Sequence, residues 1–279
     1  MRYVSVKEIQ EKLTSMILNS VINISEDCRN AIDDACTKET NKNAGFALEI
    51  LQKNIAAASK YNIPPCQDTG MAVIFIDIGQ DVVLEGIYIE DAINQAVRDA
   101  YRQGFFRKSV LDPITRINTA DNTPAVIHTR IVKGENVSIH FLAKGFGSEN
   151  MSKLYMLKPA DGIKGVKQCI LNTVKVAGGN PCPPIILGVG IGGTADKAME
   201  IAKHALLRKI GSKNSDEYLN NLESEMLKEI NSLNIGAQGF KGDTTALAVF
   251  IEKYPTHIAA LPVAVNIQCH SQRTGKVII

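Results

Sequence analysis

Three of the six cysteines lie in loops that could hold a metal. They stand in "IPPCQDTG" (Cys66), "GGNPCPP" (Cys182) and "NIQCHSQRTG" (Cys269), each beside proline, glycine or polar residues. Segments of this kind can fix a thiolate in place with backbone N–H groups nearby. The other three fall in helical patterns, where a cysteine is usually a small buried apolar residue: Cys28, Cys36 and Cys169.

The spacing of the loop cysteines limits the site that they could form. No C-x-x-C pair occurs, which argues against a zinc ribbon and against a ferredoxin-type run, since both take several ligands from one short loop. Thiolates this far apart could converge on a metal or an iron–sulfur cluster only in the folded chain, or could be unrelated. A cluster held by three thiolates would leave one iron open to act as a Lewis acid.

The composition excludes several classes of function. With 31 basic and 29 acidic residues in 279, the net charge is only +2, which is too balanced to predict a nucleic-acid or membrane surface. Tryptophan is absent and 5% of residues are aromatic, so no base-stacking platform is expected. The N-terminus shows no signal-peptide pattern, and no run approaches the ~20 apolar residues of a membrane span. We therefore expect a cytoplasmic protein with reduced cysteines.

The elements that must position these loops predict an α+β fold, with a helical N-terminal layer followed by a mixed α/β region with sheet. Residues 5–60 carry apolar side chains at helical spacing, and "MAVIFIDIG" after Cys66 is typical of a short buried strand. The alternating runs "AVIHTRIV" and "VSIHFLAK", joined by "KGEN", predict a β-hairpin. A glycine-rich loop, "KGFGSENMSKLYML", is expected next, followed by helices and strands in alternation.

The segment "GVGIGGT" lies between an apolar strand and a helix, as a nucleotide-binding loop does. It lacks the G-K-[ST] ending of a P-loop, and no acidic residue follows a second strand convincingly. Tight-turn packing near the metal site is the favoured interpretation. Among the histidines, His128 and His140 are expected to pack on the hairpin or face solvent, and His204 to lie on the surface. His270 directly follows Cys269 and could support a ligand.

Six ordered motifs give the chain a specific resemblance. They are "PPCQDTG", "RKSVLDP", "KGFGSEN", "GGNPCPP", "GVGIGGTAD" and "CHSQR". With them the chain, as far as about Thr274, resembles the α subunit, or N-terminal domain, of class I iron–sulfur hydro-lyases, the oxygen-sensitive fumarate hydratases and L-tartrate dehydratase. The resemblance implies a 4Fe–4S cluster on Cys66, Cys182 and Cys269. It also implies that a small dicarboxylic acid is hydrated or dehydrated at the one open iron.

The resemblance further implies a set of substrate contacts at matching positions. These are Gln67 and Asp68 beside the first ligand, Arg107 on a substrate carboxylate, Gly145 as a backbone contact (Gly147 is the other candidate at that register), and His257 in the pocket.

The residue types suit these roles. Arg107 can bind a carboxylate bidentately, which Lys cannot. Asp68 could orient a hydroxyl or pass a proton, and His257 could hydrogen-bond a carboxylate or tune a neighbouring acid, so these two are the predicted catalytic residues. By residue type alone each has a simpler alternative: a surface ion pair for Arg107, a turn-forming Asx for Asp68, and a satisfied strand-end histidine for His257.

The resemblance also implies a second module. In the family a smaller swivelling domain supplies further arginines, a lysine and an acid–base group, either fused downstream or on a separate β subunit. The residues after "CHSQR" are too few for it. We therefore expect residues 1–279 to form a single cluster-binding catalytic domain, with the C-terminal swivelling domain on a β-subunit partner in an α2β2 heterotetramer.

The leading hypothesis is thus the α subunit of a fumarate hydratase that forms L-malate. L-tartrate dehydratase and mesaconate hydratase are alternatives, because the motifs bind only the shared dicarboxylate core. A non-enzymatic alternative is an iron–sulfur electron carrier or sensor, which a fourth ligand near the other three would favour. A nucleotide-binding module built on "GVGIGGT" is a third class.

Overall fold

A computed structural model describes residues 1–279, which divide into two compact units. Unit 1 comprises Met1–Ser25, Ile55–Phe146 and Gln272–Ile279, and unit 2 comprises Glu26–Asn54 and Gly147–Ser271. The predicted α+β class is confirmed. This division describes only which residues pack compactly together. The prediction that residues 1–279 form a single catalytic domain therefore stays a prediction.

Unit 1 is a four-stranded sheet covered by two helices. Its elements in chain order are β1 (Arg2–Ser5), α1 (Val6–Ile22), β2 (Met71–Gly79), β3 (Val82–Glu85), α4 (Ile89–Gln103), β4 (Val126–Val132), β5 (Val137–Lys144) and β10 (Thr274–Ile278). The strand order in the main sheet is β10-β5-β2-β4, and β1 pairs with β3 in a separate parallel ribbon. Apolar residues at helical spacing on α1, such as Ile9, Leu13 and Ile17, are buried against Ile74 and Ile139 of the sheet.

The predicted β-hairpin is wrong, although both of its strands exist. Strand β2 lies between them: Ile74 pairs with Ile127 of β4 in parallel and with Phe141 of β5 in antiparallel register. The residues from Ala72 to Ile76 are all buried. If β4 and β5 paired directly, the backbone groups on one side of β2 would have no partners. With β2 between them, the backbone groups on both sides of this buried strand are paired.

Unit 2 is a second four-stranded sheet with helices on both faces. Its elements are α2 (Glu26–Lys38), β6 (Lys153–Leu157), α6 (Gly162–Ala177), β7 (Ile185–Gly192), α7 (Ala195–Ala205), α8 (Glu217–Asn231), β8 (Ala246–Tyr254) and β9 (Leu261–Gln268). The strand order is β6-β9-β7-β8, with β7 and β8 parallel and β9 antiparallel to β7. Helices α6 and α8 cover one face of the sheet, and α7 packs on the other.

Two elements lie at the boundaries between the units. Helix α3 (Lys42–Tyr61) contains the boundary at 54/55, and the short helix α5 (Phe146–Glu149) contains the one at 146/147. The segment "KGFGSENMSKLYML", expected to be one loop, thus holds α5 and β6. The loop prediction failed because "KLYML" pairs with β9 as an edge strand. The glycine content of the segment does not reveal this tertiary contact.

No helix combines the length and the apolar character needed to cross a membrane. The cytoplasmic location inferred from the sequence stays a prediction.

Candidate active site

In unit 1 the loop that carries Cys66 also fixes a carboxylate. Cys66 is half-buried between α3 and β2, and its Sγ lies 3.7 Å from Oε1 of the exposed Gln67. Asp68 accepts a hydrogen bond from the Gly70 N–H at 3.1 Å on Oδ1 and from the Phe146 N–H at 2.9 Å on Oδ2. Because each carboxylate oxygen has a backbone donor, Asp68 is held in one orientation two residues from the thiol.

Gly145 lies directly against this carboxylate. A Cβ added at Gly145 would stand 3.2 Å from Oδ2 of Asp68 and 3.7 Å from Nη2 of Arg273. Gly70 is equally constrained, since its φ is +82° and a Cβ would approach the Lys144 backbone to 2.9 Å. The two glycines therefore allow the Cys66 loop and the end of β5 to pack closely, and the predicted residues Asp68 and Gly145 do meet.

Arg107 is tied to the same loop through its backbone. The Thr69 hydroxyl donates to the Arg107 carbonyl at 3.1 Å, while the Arg107 side chain remains exposed. The fully buried Asn122 links the two segments a second time, because it donates to the Gly70 carbonyl at 3.2 Å and accepts from the Ser109 N–H at 2.8 Å. Arg107 thus lies beside Asp68 on a braced segment with its guanidinium available.

The buried Tyr101 hydrogen-bonds to the backbone of the loop that carries Cys66. The Tyr101 hydroxyl is shared between the carbonyls of Thr69 (3.0 Å) and Gly70 (2.9 Å). Burial raises the pKa of the Tyr101 phenol; Arg273 opposes this rise and the Asp68 carboxylate adds to it. The phenol therefore stays protonated and keeps donating to the loop that presents Cys66 and Asp68.

A salt bridge anchors the far end of the Arg107 segment. Arg98 Nε lies 2.8 Å from Asp121 Oδ2, and the Thr123 hydroxyl donates to Asp121 Oδ1 at 2.7 Å. Burial alone would raise the pKa of Asp121, but these hydrogen bonds outweigh it and lower the pKa to about 2. Asp121 is therefore ionised at neutral pH, next to Asn122 that braces the loop.

In unit 2 the loops of Cys182 and Cys269 are joined through His270. Nδ1 of His270 lies 2.9 Å from the Cys182 carbonyl. Because a carbonyl can only accept, Nδ1 donates this hydrogen bond. It joins the two loops within unit 2, and the role of His270 in supporting a ligand stays a prediction.

Two further contacts brace this pair of loops. Gln238 Nε2 donates to the Pro183 carbonyl at 2.7 Å. The Cys28 thiol donates to the His270 carbonyl at 3.2 Å. Cys28 and Cys169 are buried, as expected for core cysteines, whereas Cys182 is exposed, Cys66 and Cys269 are half-buried, and no cysteine forms a disulfide.

Cys182 has a backbone conformation that is unusual for a non-glycine residue. Its φ is +55°, in the left-handed region. Such a conformation costs of order 1 kcal/mol or more and persists where the surroundings impose it, often at functional sites. Here the turn bond from the Cys182 N–H to the Gly179 carbonyl, at 3.1 Å, helps to hold it.

His257 lies in the exposed segment before β9, and Cys269 follows the other end of that strand. Eight strand residues separate the two ends of β9 by roughly 25 Å. A place for His257 in the substrate pocket stays a prediction.

The glycine segment "GVGIGGT" serves packing. A Cβ at Gly188 or Gly190 would approach the carbonyls of Ala202 and Ala198 to 2.0 and 2.1 Å, so both glycines let α7 lie directly on β7. The turn at Gly192–Gly193 is at the opposite end of β7 from Cys182, and its nearness to a metal site stays a prediction.

The remaining histidines are placed as follows. His128 and His140 flank Phe75 on neighbouring strands, and the His128 ring stacks on Phe75 with centroids 4.6 Å apart. His204, expected on the surface, is half-buried on α7 with Nδ1 2.8 Å from Glu252 Oε1.

The three-cysteine ligand set stays a prediction. Cys66 belongs to unit 1 and Cys182 and Cys269 to unit 2. No group of three or more His, Cys, Asp or Glu side chains is arranged to hold a metal ion. What the structure shows is the environment of each thiol within its own unit.

Sequence reasoning missed Arg273 and Gln268. Arg273 is 1% exposed and lies beside Gly145 in unit 1, and Gln268 is fully buried next to Cys269 in unit 2. Charged and amide side chains are seldom buried without a specific reason. The sequence signal for both residues was the polar segment around "CHS" in an otherwise apolar C-terminal region.

The fold is a mixed α/β chain, and its unit 1 carries a half-buried free cysteine, a carboxylate fixed by backbone N–H groups and an exposed arginine. A sequence model of the family described as "Fumarate hydratase (Fumerase)" matches residues 10–278. The chain therefore belongs to the fumarate hydratase family and is a hydro-lyase, an enzyme that adds water to a double bond or removes it.

Two relatives show how far the similarity extends. A protein of Methanocaldococcus jannaschii named "Putative L(+)-tartrate dehydratase subunit alpha" is 42% identical over 272 residues, which are 95% of each chain. The "L(+)-tartrate dehydratase subunit alpha" of Escherichia coli K12 is 28% identical over 276 residues, or 96% of this chain and 91% of the relative.

Proposed function

We propose that this chain is the cluster-binding α subunit of a hydro-lyase acting on a small dicarboxylic acid, with fumarate and L-malate as the leading substrate pair. One observation carries the proposal: the Cys66 loop fixes the Asp68 carboxylate through two backbone N–H groups and is hydrogen-bonded to the Arg107 segment. These bonds support the proposal, because they link the loop of the Cys66 thiol and the Asp68 carboxylate to the segment that carries Arg107.

The donor set fits the 4Fe–4S cluster that the proposal requires. Cys66, Cys182 and Cys269 are reduced and lie in loops, and thiolates are the ligands that such clusters take. Gln268, beside Cys269, is a buried amide whose polar atoms have no hydrogen-bond partner, as expected next to a missing polar group. When bound on three cysteines, the cluster supplies an open iron as a Lewis acid.

The chain's own residues supply recognition and proton handling. The exposed Arg107 binds one substrate carboxylate bidentately. Asp68, held by the Gly70 and Phe146 N–H groups, orients the substrate hydroxyl or takes its proton. Gln67 offers an exposed amide beside it, and Gly145 has no side chain of its own, so its backbone can contact the substrate. His257, exposed before β9, remains a proposed pocket residue of the family type.

L-tartrate is a second candidate substrate, favoured by a specific observation. Both relatives described above carry tartrate dehydratase names, one of them at 42% identity. L-tartrate has the same two carboxylates as L-malate and one additional hydroxyl. Arg107 and Asp68 would therefore serve both acids equally, so this chain's residues do not choose between them.

We further propose a β subunit as partner, which brings the swivelling domain and the remaining carboxylate-binding groups, in an α2β2 assembly. Both relatives are named as α subunits. A site with one exposed arginine and one fixed carboxylate binds only part of a dicarboxylic acid, so a second carboxylate-binding group is needed from elsewhere.

The test is anaerobic co-expression with the candidate β subunit, reconstitution with iron and sulfide, and assay on fumarate, L-malate, L-tartrate and mesaconate. The ultraviolet absorbance of fumarate follows one reaction, and oxaloacetate formation follows dehydration of tartrate. Turnover of fumarate and malate supports the leading proposal, and turnover of tartrate alone selects the second. A complex that carries the cluster but dehydrates none of these acids contradicts both.

A further inference from the structure

Gln268 is a buried amide for which the fold provides no partner. It is the last residue of β9, directly before Cys269, and is 0% exposed. Neither its Oε1 nor its Nε2 has a hydrogen-bond partner. Leaving one such buried group unsatisfied costs about 1–3 kcal/mol, and native chains rarely bear that cost without a partner that binds later.

The alternation of side chains along β9 shows which face Gln268 occupies. Val265 and Ile267 belong to the core under α6 and α8, whereas Ala264 packs against Ala198 and Ala202 of α7. Because side chains alternate along a strand, Gln268 lies on the α7 face with Ala264. It is thus at the end of that face from which the Cys269 loop departs.

Asn266, on the same face, serves as an internal comparison. Its Nδ2 donates to Glu149 Oε2 at 3.0 Å, and Glu149 is held in turn by Lys203 at 2.5 Å. The fold therefore supplies a charged acceptor for the Asn266 N–H, whereas Asn266 Oδ1, like both polar atoms of Gln268, has no partner. The absence of an equivalent protein partner at Gln268 points to a group outside the protein.

We infer that Gln268 is a positioning residue for the group bound at Cys269, and that its N–H donates to a cluster sulfide. This inference rests on the proposed function, since it requires the cluster. Hydrogen bonds to sulfur stabilise the more reduced cluster and raise its reduction potential, and they protect the ligand from exchange. The oxygen and nitrogen of the Gln268 amide can exchange positions by rotation of the amide group. The inference therefore does not depend on which of the two positions is assigned to nitrogen.

The experiment compares Gln268→Leu with wild type, and with Gln168→Leu on the exposed surface of α6 as the matched control. Leucine has a similar volume but no polar atoms. In the apo chain, Gln268→Leu should leave the urea midpoint unchanged or raise it, because it removes an unsatisfied buried amide. After anaerobic reconstitution, the same variant should show a lower cluster midpoint potential and bleach in air on the order of tenfold faster.

The outcomes separate this inference from the proposed function. If wild type takes up no cluster, both the proposed function and the inference fail. If wild type and Gln268→Leu carry clusters of equal potential and equal lifetime in air, only the role of Gln268 is refuted. A large loss of apo stability in Gln268→Leu with an unchanged potential also overturns it, because the amide would then serve the protein alone.

Discussion

At the scale of single residues, the proposed ligands differ from the other cysteines in ways that an experiment can resolve. Cys182 is exposed and has a positive φ, whereas Cys36 lies within the regular helix α2. Burial is the largest of the effects that raise the pKa of the Cys36 thiol, followed by the carboxylates of Glu49 and Asp33. A raised pKa disfavours the thiolate that iron requires.

Cys182→Ser should therefore abolish the visible absorption of the reconstituted cluster, whereas Cys36→Ser should leave it intact. Serine keeps the size of the side chain but removes the sulfur ligand. Anaerobic reconstitution followed by visible spectroscopy and iron analysis measures both variants. An unchanged spectrum in Cys182→Ser would remove this residue from the ligand set.

Arg107→Lys should weaken substrate binding rather than folding. A lysine keeps the charge but loses the bidentate geometry, which costs about 1.5–3 kcal/mol for one charged hydrogen bond, or roughly 10- to 150-fold in kcat/KM. Arg102→Lys is the control, since Arg102 is also exposed near the end of α4 but pairs only with Asp99 on its own helix. Kinetics of the reconstituted complex measure both, and equal values would place Arg107 outside the site.

Residue types and motif order singled out three residues whose segments are in contact within unit 1. Asp68 and Gly145 meet, and Arg107 lies on a segment bonded to Thr69. The burial of Arg273 and Gln268 could not be predicted, because burial of a polar residue follows from the whole tertiary structure. The substrate contacts of Asp68, Arg107, Gly145 and His257 stay predictions.

At the scale of elements, helices and strands were largely predictable and their pairing was not. Strand β2, helix α6 with its end at Gly178, and the β7–α7 unit follow the periodicity of the sequence. The hairpin prediction failed because strands that are neighbours along the chain were assumed to be neighbours in the sheet. The insertion of β2 between β4 and β5 depends on burying a long apolar strand on both sides, a long-range preference that local pattern does not contain.

Gly190→Ala tests the close packing of α7 on β7. The added methyl group would stand 2.1 Å from the Ala198 carbonyl, so strand and helix must separate, and overpacking of this kind costs typically 1–3 kcal/mol. Gly45→Ala in α3 is the control, because its Cβ would meet nothing closer than 4.0 Å. Alanine favours a helix over glycine by about 0.5–1 kcal/mol, so this variant should be neutral or slightly stabilised.

Urea unfolding of the apo chain measures both glycine variants. The Gly190→Ala midpoint should fall and the Gly45→Ala midpoint should not. Equal midpoints for the two would contradict the role given to the β7 glycines.

At the scale of the whole molecule, the proposed function gives this chain only part of a dicarboxylate site. Purified alone and reconstituted, it should show the cluster spectrum but turn over substrate poorly, and adding the β subunit should restore activity. Size-exclusion chromatography with light scattering gives the stoichiometry of the complex, which we expect to be α2β2. Full hydratase activity of the isolated chain would refute the need for a partner.

The position of β10 has a consequence for how the protein is made. Its residues pair with β5, Thr274 with Leu142, after the chain has passed through all of unit 2 from Gly147 to Ser271. A ribosome must therefore finish unit 2 before the edge of the unit 1 sheet can be covered and Arg273 can reach Gly145. Contacts this distant in sequence form slowly, and an uncovered strand edge invites aggregation meanwhile. Truncation before β10 thus yields a chain that retains every proposed iron ligand but leaves one sheet open to chaperones and proteases.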